Sequence, residues 1–136
     1  MSVVPHIVLV EDDALLSEMY QKALVNEGFH CSVALDGATG LDLVEHLQPD
    51  LVLLDLMLPQ MSGDQVLANM RKSARCKDTK VIILTNISES EAPDALDELS
   101  FERYIVKANT TLLEVMEIVK SFFPNRGVQQ QPSLAK

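Results

Sequence analysis

The sequence predicts an α/β domain built on a doubly wound parallel sheet. Three short runs contain no polar residue, which is typical of strands that helices cover on both faces: Ile7–Val10, Leu51–Leu54 and Val81–Leu84. Stretches with the apolar spacing of amphipathic helices lie between these runs. Strands and helices alternate five times along the chain, and this alternation favours right-handed βαβ crossovers.

Length and charge bound the number of domains and the class of partner. The 136 residues, 47% of them hydrophobic, suffice for one globular domain but not comfortably for two. The net charge of -9 disfavours direct binding to nucleic acid or to an anionic membrane, and it suits a protein that binds cations or basic partners. No stretch reaches the roughly 20 apolar residues of a membrane span and no signal peptide is visible, so we expect a cytoplasmic protein.

The cysteines and histidines give no sign of a disulfide or a metal site. Cys31 and Cys76 lie far apart and outside any CxxC spacing, so we expect reduced, structural thiols. His6, His30 and His46 also lack the spacing of metal ligands.

The first half of the chain contains three strands and two helices. The first helix follows the first strand and is expected to end at Gly28. Its predicted apolar stripe comprises Leu15, Leu16, Met19, Tyr20, Ala23 and Leu24. The segment Phe29–Ala34 contains polar residues and is predicted as an edge strand. Asp36 and Gly37 form a turn, and a short second helix with Leu41, Val44 and Leu47 leads to the strand Asp50–Leu54.

The second half contains two strands and three helices. Ser62 and Gln65 fit a capping box at the start of the third helix, which carries Val66, Leu67 and Met70. Because Pro93 belongs in a first helical turn, we expect a short acidic helix from about Ser90 to Leu99. A last strand, Tyr104–Val106, precedes a final helix begun by Asn109, or by Thr111 with Glu114. The domain is predicted to cover residues 1–123, with residues 124–136 a disordered tail or a truncated linker.

Charged or polar groups stand where four of the five strands end. They are Glu11 and Asp12, Asp55, Thr85, and Lys107. The carboxyl ends of parallel strands open on one crevice, so these groups should converge there. Three carboxylates in one place are costly unless a cation joins them, and Mg²⁺ is a hard cation that takes oxygen ligands. Any one of these residues alone would be interpreted as a helix cap or a strand end. Their occurrence at the ends of four strands indicates a functional site.

With these residues the chain resembles the receiver domain of response regulators, the phospho-accepting module of bacterial two-component signalling. The motifs that carry the resemblance are Val10–Asp13, Asp50–Asp55 with Leu58-Pro59 and Gly63, Leu84-Thr85, and Tyr104–Lys107. The resemblance covers about residues 5 to 123. It implies a flavodoxin-like (βα)5 sandwich with a five-stranded parallel sheet in the order 2-1-3-4-5.

The resemblance also implies the chemistry of the site. Asp55 would accept a phosphoryl group from a sensor histidine kinase, a phosphotransfer protein or a small acyl phosphate. Lys107 would pair with Asp55 and then with the phosphate, and Thr85 would donate a hydrogen bond to a phosphoryl oxygen. The protein would catalyse its own phosphorylation and slow dephosphorylation without being an enzyme that acts on other substrates.

A magnesium ion is the implied cofactor. Its ligands would be Asp12, Asp55 and the backbone carbonyl of Met57. Glu11 would assist through a water molecule.

The resemblance further implies a switch and partners. Thr85 and Tyr104 occupy the switch positions, and they would alter the surface of the fourth helix, fifth strand and fifth helix. That surface would control a downstream protein or a missing C-terminal output domain, and it could also form a phosphorylation-linked homodimer.

The sequence departs from the family pattern at several positions. The family usually places a cis proline after the lysine, whereas Ala108 follows Lys107 here; a cis bond at this place would cost about 3–4 kcal/mol, and the alternative is a trans loop. Asn86 stands where a small residue is usual, and it would crowd the phosphate or donate a hydrogen bond to it. Met57 and Ile87 are apolar where the family tunes water access, which predicts slow self-dephosphorylation.

Three other functions are open to a chain of this pattern. A dehalogenase-type phosphatase needs a second Asp two residues after the nucleophile, and Met57 stands there instead. A flavodoxin-like nucleotide or flavin binder needs a Gly, Ser or Thr loop after the first strand, where the chain has Glu11–Asp13. An adaptor that is never phosphorylated would signal unchanged after an Asp55→Asn substitution.

Overall fold

A five-stranded parallel sheet forms the centre of the molecule in the computed structural model, which describes residues 4–124. The strands are β1 (His6–Val10), β2 (His30–Ala34), β3 (Leu51–Leu54), β4 (Val81–Thr85) and β5 (Arg103–Val106). Their order is β2-β1-β3-β4-β5, and every neighbouring pair is parallel. The predicted doubly wound fold and strand order are confirmed, as is the edge position of the second strand.

Four α-helices cover the sheet in the described part of the chain. They are α1 (Ala14–Asn26), α2 (Gly37–Leu47), α3 (Gly63–Lys72) and α4 (Leu112–Ser121). The buried side chains form two clusters, one on each face of the sheet. The helices α2 and α3 contribute to one cluster, while α1 and α4 contribute to the other. Every residue of β3 and β4 is buried, which explains why these strands are continuous apolar runs.

The strand register aligns the ends of the strands. Val10 is paired with Leu54, so the next residues, Glu11 and Asp55, leave the sheet side by side. The N–H of Asp55 donates to the carbonyl of Val10 over 3.1 Å and extends the ladder by one step. Two apolar strands thus place two carboxylates at the same edge.

The predicted helix ends are largely confirmed. Ser62 and Gln65 form the capping box of α3, and Thr111 with Glu114 forms that of α4. The other candidate, Asn109, lies in a short 3₁₀ turn before α4. Gly28 follows α1 with a φ of 97°, a left-handed conformation that suits glycine.

The prediction of an acidic α-helix from Ser90 to Leu99 is wrong. Two 3₁₀ helices, Glu89–Glu91 and Asp94–Glu98, occupy this place. Pro93 lies between them. Proline disfavours the helical conformation of the residue before it, and Ala92 accordingly has an extended ψ of 152°. The predicted switch surface therefore lacks its fourth α-helix, and this 3₁₀ segment stands in its place.

The predicted apolar stripe of α1 is partly wrong. Leu15 and Met19 are 80% and 47% exposed, whereas Ser17, Tyr20 and Leu24 are buried. Ser17 is tolerated inside because its hydroxyl donates to the carbonyl of Ala14 over 2.9 Å.

Two further predictions concern the limits of the chain. Among residues 4–124, no helix combines the length and the hydrophobicity that a bilayer crossing demands. The predicted tail lies outside the described residues beyond position 124, so it stays a prediction.

Candidate functional site

The carboxyl ends of β1 and β3 open on a cleft of about 670 Å³. Its lining residues are Glu11, Asp12, Asp13, Leu16, Asp55, Leu56, Met57, Leu58, Pro59, Ser62, Asn86 and Lys107. The crevice therefore lies where a doubly wound sheet is expected to bind its ligand. Of the predicted site residues, the fold brings Glu11, Asp12, Asp55, Met57 and Lys107 together in this cleft.

Asp55 is held by a hydrogen bond to each carboxylate oxygen. Lys107 Nζ donates to Oδ2 over 2.8 Å, and the N–H of Met57 donates to Oδ1 over 3.1 Å. The residue is only 5% exposed, yet it lines the cleft. A carboxylate with one ammonium and one amide as partners is fixed in orientation.

Lys107 serves two carboxylates, because its ammonium also donates to Glu11 Oε1. Burial alone would lower the pKa of Lys107, but its hydrogen bonds to Asp55 and Glu11 outweigh burial and raise that pKa. The lysine therefore stays positively charged within a site of low exposure.

The loop after Lys107 is trans. No cis peptide bond occurs among residues 4–124, and Lys107–Asn109 forms a single 3₁₀ turn. Ala108 is exposed. Of the two geometries considered for the Lys107–Ala108 bond, the structure has the trans form. The Lys107 ammonium nevertheless reaches Asp55.

Glu11 is a buried carboxylate whose pKa is raised above its ordinary value. Burial raises its pKa, and the charge of Asp55 raises it further. The hydrogen bond from Lys107 and the one from the N–H of Asp13, 3.0 Å from Oε2, act in the opposite direction without overcoming burial.

Glu11, Asp12 and Asp55 form a group of oxygen ligands that fits a divalent cation. One carboxylate oxygen from each lies within 4.8 Å of the others. Asp12 is exposed and the other two are buried, so the group is open to the cleft on one side. Three carboxylates face one ammonium, and the excess of negative charge suits a hard cation such as Mg²⁺.

Two glycines allow the loop between β3 and α3 to pack against its neighbours. A Cβ on Gly63 would lie 2.1 Å from the carbonyl oxygen of Asp55, and one on Gly37 would lie 2.0 Å from that of Met61. Gly63 N–H also donates to the carbonyl of Leu56 over 3.0 Å. The start of α3 thus rests directly on the backbone of the strand end that carries Asp55.

Thr85 and Tyr104 lie outside the cleft and share a backbone partner. Thr85 is fully buried, and its hydroxyl accepts from the N–H of Ile87 over a long 3.4 Å. Tyr104 donates through its hydroxyl to the carbonyl of Ile87 over 2.8 Å. This role of Ile87 was not predictable from the sequence, because a backbone contact leaves no signal in the side-chain pattern. The neighbouring Asn86 is exposed and lines the cleft.

Known proteins are similar to this chain in sequence and in fold. The family described as "Response regulator receiver domain" matches residues 7–120. Over 85 residues the chain is 36% identical to the DNA-binding dual master transcriptional regulator RpaA of Synechocystis sp., covering 62% of this chain and 35% of that protein. Over 65 residues it is 51% identical to the DNA-binding response regulator MtrA of Mycobacterium tuberculosis, covering 48% and 28%. The matches span about a third of the length of these curated relatives.

Solved structures agree with the sequence relatives. The receiver domain of the putative response regulator NarL from Mycobacterium tuberculosis has a TM-score of 0.75 at 27% identity, covering 88% of this chain and 96% of that one. The receiver domain of a sensor histidine kinase from Pseudomonas aeruginosa, crystallised with a magnesium ion in its active site cleft, has a TM-score of 0.78 at 20% identity, with 88% and 98% covered. The chain belongs to the response regulator receiver domain family of two-component signalling.

Proposed function

We propose that Asp55 accepts a phosphoryl group from a sensor histidine kinase, a phosphotransfer protein or a small acyl phosphate. The observation that carries the proposal is the buried Asp55 carboxylate, which faces a cleft and lies 2.8 Å from the Lys107 ammonium. A carboxylate oxygen attacks phosphorus, and the bond from phosphorus to the donor's nitrogen or oxygen breaks with its electron pair. The product is an acyl phosphate on Asp55.

Lys107 and the Met57 amide prepare Asp55 for this step. Asp55 is an ionised nucleophile and needs no base, so the surrounding residues mainly have to orient it and to offset charge. The Lys107 ammonium lies beside the attacking carboxylate and is placed to pair with a phosphoryl oxygen once the new bond forms.

We propose that Asp12, Asp55 and the backbone carbonyl of Met57 would hold Mg²⁺, with Glu11 assisting through a water molecule. The grouping of three carboxylate oxygens within 4.8 Å and the magnesium ion in the Pseudomonas aeruginosa receiver both support this assignment. When bound, the ion offsets the negative charge of the phosphoryl oxygens.

We further propose that Thr85 and Tyr104 form the switch. A phosphoryl group on Asp55 would give the Thr85 O–H an oxygen acceptor, and a turn of Thr85 towards that oxygen would break the hydrogen bond that it accepts from the N–H of Ile87. Ile87 also accepts from Tyr104, so the change would reach β5 and the neighbouring surface. That surface, made of residues 89–98, β5 and α4, would control a downstream partner or an output domain, and it could pair two phosphorylated copies.

The curated relatives support such an output, since both are named as DNA-binding regulators and extend well beyond the matched region. We propose residues 1–123 as the receiver unit and the cytoplasm as its location. The acidic chain itself would not bind nucleic acid or a membrane.

Self-dephosphorylation is proposed to be slow. Met57 is 57% exposed at the cleft and is apolar, and Ile87 is apolar as well, so neither side chain can orient a water molecule for attack on phosphorus. A phosphoryl-Asp55 half-life of only seconds, measured without a phosphatase, would contradict this proposal.

Incubation with acetyl phosphate and Mg²⁺ followed by intact-mass measurement tests the proposed reaction. The wild-type chain should gain the mass of one phosphoryl group, and the gain should disappear with EDTA. Asp55→Asn should abolish the adduct, whereas Asp13→Asn, a change at a carboxylate outside the proposed ligand set, should retain it. An adduct that persists in Asp55→Asn would show that another residue accepts the phosphoryl group.

A further inference from the structure

A second cavity lies between the 3₁₀ segment and β5, apart from the cleft that holds Asp55. Its volume is about 200 Å³, below the roughly 300–1,000 Å³ of small-molecule sites and suited to a single long side chain. The carboxylates on its lining belong to Glu89, Asp94 and Asp97, and the aromatic rings to Phe101 and Tyr104.

The charge around this cavity has one sign. Residues 89–98 contain five carboxylates and no Lys or Arg. Within residues 4–124, no ion pair joins any of these carboxylates to a basic side chain. The segment therefore presents negative charge without an ion-pair partner beside this partly open cavity.

The aromatic part of the lining is held in place. The rings of Phe101 and Tyr104 lie with their centroids 6.4 Å apart at an angle of 58°. The Tyr104 hydroxyl donates to the carbonyl of Ile87, which fixes the ring from its far end. Burial and then the charge of Glu89 raise the pKa of Tyr104, so the negative potential of the segment extends to this ring.

We propose that this cavity receives an arginine side chain from a basic segment of a partner protein. A guanidinium group is planar, so it can stack on an aromatic face while its N–H groups donate to carboxylates at the rim. Charge complementarity with residues 89–98 selects a basic segment rather than an acidic one. The proposal rests on the proposed partner surface of residues 89–98, β5 and α4, and it names the chemistry of the partner; peptide binding is measured without phosphorylation of Asp55, so the two proposals can fail separately.

The chemistry of the lining separates arginine from other cations. A metal ion would need converging oxygen ligands, whereas the ligand group of three carboxylates found in residues 4–124 lies at Asp55 and not here. A lysine ammonium would meet the carboxylates but would use the two rings less well than a guanidinium does.

A peptide titration followed by NMR of the full chain tests the proposal. The probe is a short capped peptide with one central arginine, and its control carries citrulline, which has the same shape without the charge. The arginine peptide should shift the signals of Phe101 and Tyr104, and the citrulline peptide should bind about tenfold more weakly or worse. Equal binding of the two peptides, or no binding of the arginine peptide, would overturn the proposal.

Two matched double variants separate the cavity from general attraction to an acidic protein. Asp94→Asn with Asp97→Asn removes two carboxylates from the lining, while Glu91→Gln with Glu98→Gln removes two from the same segment outside the lining. We expect about tenfold weaker binding only in the first. Equal weakening in both would overturn the assignment to this cavity.

Two further measurements complete the test. Phe101→Leu keeps the position apolar and should weaken the arginine peptide severalfold, whereas unchanged affinity would remove the ring from the binding site. Shifts at Tyr104 that grow with protein concentration in the absence of peptide would assign the cavity to a second copy of this chain, and would overturn the proposal of a separate partner.

Discussion

Lys107 donates to both Glu11 and Asp55, so a single buried ammonium serves two buried carboxylates. A buried charge is tolerated when it is paired, and removal of one partner exposes the cost of burying the other. The three residues therefore form one electrostatic unit, and a substitution at one of them changes the charge that the other two meet.

Replacement of Glu11 by Gln should alter how stability depends on pH. The pKa of Glu11 in the folded protein lies above its ordinary value of 4.5, so the folded protein binds this proton more tightly than the unfolded chain does. The contribution of Glu11 to stability therefore falls as pH rises from 4.5 through the raised pKa. We expect Glu11→Gln to gain stability relative to wild type over this range, as measured by urea unfolding in EDTA.

Glu18→Gln on α1 provides the control, since Glu18 is 59% exposed and pairs with Lys22 at the surface. Its difference from wild type should stay nearly constant across the same pH range, because an exposed pair of this kind contributes little. A Glu11→Gln variant that loses stability relative to wild type with rising pH would contradict the expected role of burial.

Cys31 should be nearly inert towards iodoacetamide in the folded protein. Burial raises the pKa of its thiol to about 12, so at about pH 8 the reactive thiolate is on the order of a thousandfold scarcer than for an ordinary cysteine. Cys76, at 1% exposure, should be protected as well. Intact mass should show no label in buffer and two labels in urea; rapid labelling of the folded chain would refute the expected protection.

Sequence alone predicted the residues at the strand ends but not all of their contacts. Glu11, Asp55 and Lys107 were predictable, because unbroken apolar runs mark the strands and the next residue must leave the sheet. The burial of Ser17 was not predictable, since its hydroxyl is satisfied by a local carbonyl that no hydrophobic pattern reveals. For the same reason the backbone role of Ile87 was missed.

At the scale of elements, the junction between β3 and α3 tolerates no side chain at position 63. Gly63→Ala would place a Cβ 2.1 Å from the carbonyl oxygen of Asp55 and 2.7 Å from Cα of Leu56. Both are backbone atoms, so the helix has to move away from the strand. We expect the free energy of unfolding to fall by about 2 kcal/mol or more, measured by urea unfolding.

Asn69→Ala on the same helix is the matched control. Asn69 is exposed and alanine is the better helix former, so the change should stay within about 0.5 kcal/mol. A Gly63→Ala protein as stable as this control would mean that the junction yields more easily than its close contacts suggest.

Elements with strong local signals were predicted well, and the exception has a local cause. Capping boxes at Ser62 and Thr111 marked the starts of α3 and α4. The segment from 89 to 98 has the acidic residues of a helix start, but Pro93 interrupts it and Leu96 is its one buried residue. With so little surface to bury, the segment gains little from completing an α-helix.

At the scale of the whole molecule, Mg²⁺ should stabilise the fold beyond simple screening of its net charge of -9. An ion that binds only the folded state adds about 2.7 kcal/mol at a hundredfold excess over its Kd. We expect the thermal midpoint to rise with Mg²⁺ at constant ionic strength. Asp12→Asn should abolish most of the rise, and an equal rise with NaCl would assign the effect to screening alone.

The overall topology was the most predictable level of description. Alternating strands and helices with right-handed crossovers leave few ways to arrange five parallel strands, and the observed sheet is one of them. The order of the strands in the sheet was predicted from the resemblance to the receiver family, since hydrophobic periodicity does not tell which strands are neighbours.

The main-chain N–H and carbonyl of Ile87 determine which substitutions at this position would disturb the proposed switch. Its N–H donates to the Thr85 hydroxyl and its carbonyl accepts from the Tyr104 hydroxyl, so Ile87 joins these two side chains through main-chain atoms only. Most substitutions at position 87 leave these main-chain groups in place, although the Ile87 side chain itself packs against one of the two core clusters. Proline is the exception, because it removes the N–H while it keeps the carbonyl. The link from Thr85 to Tyr104 thus depends on the main chain at position 87.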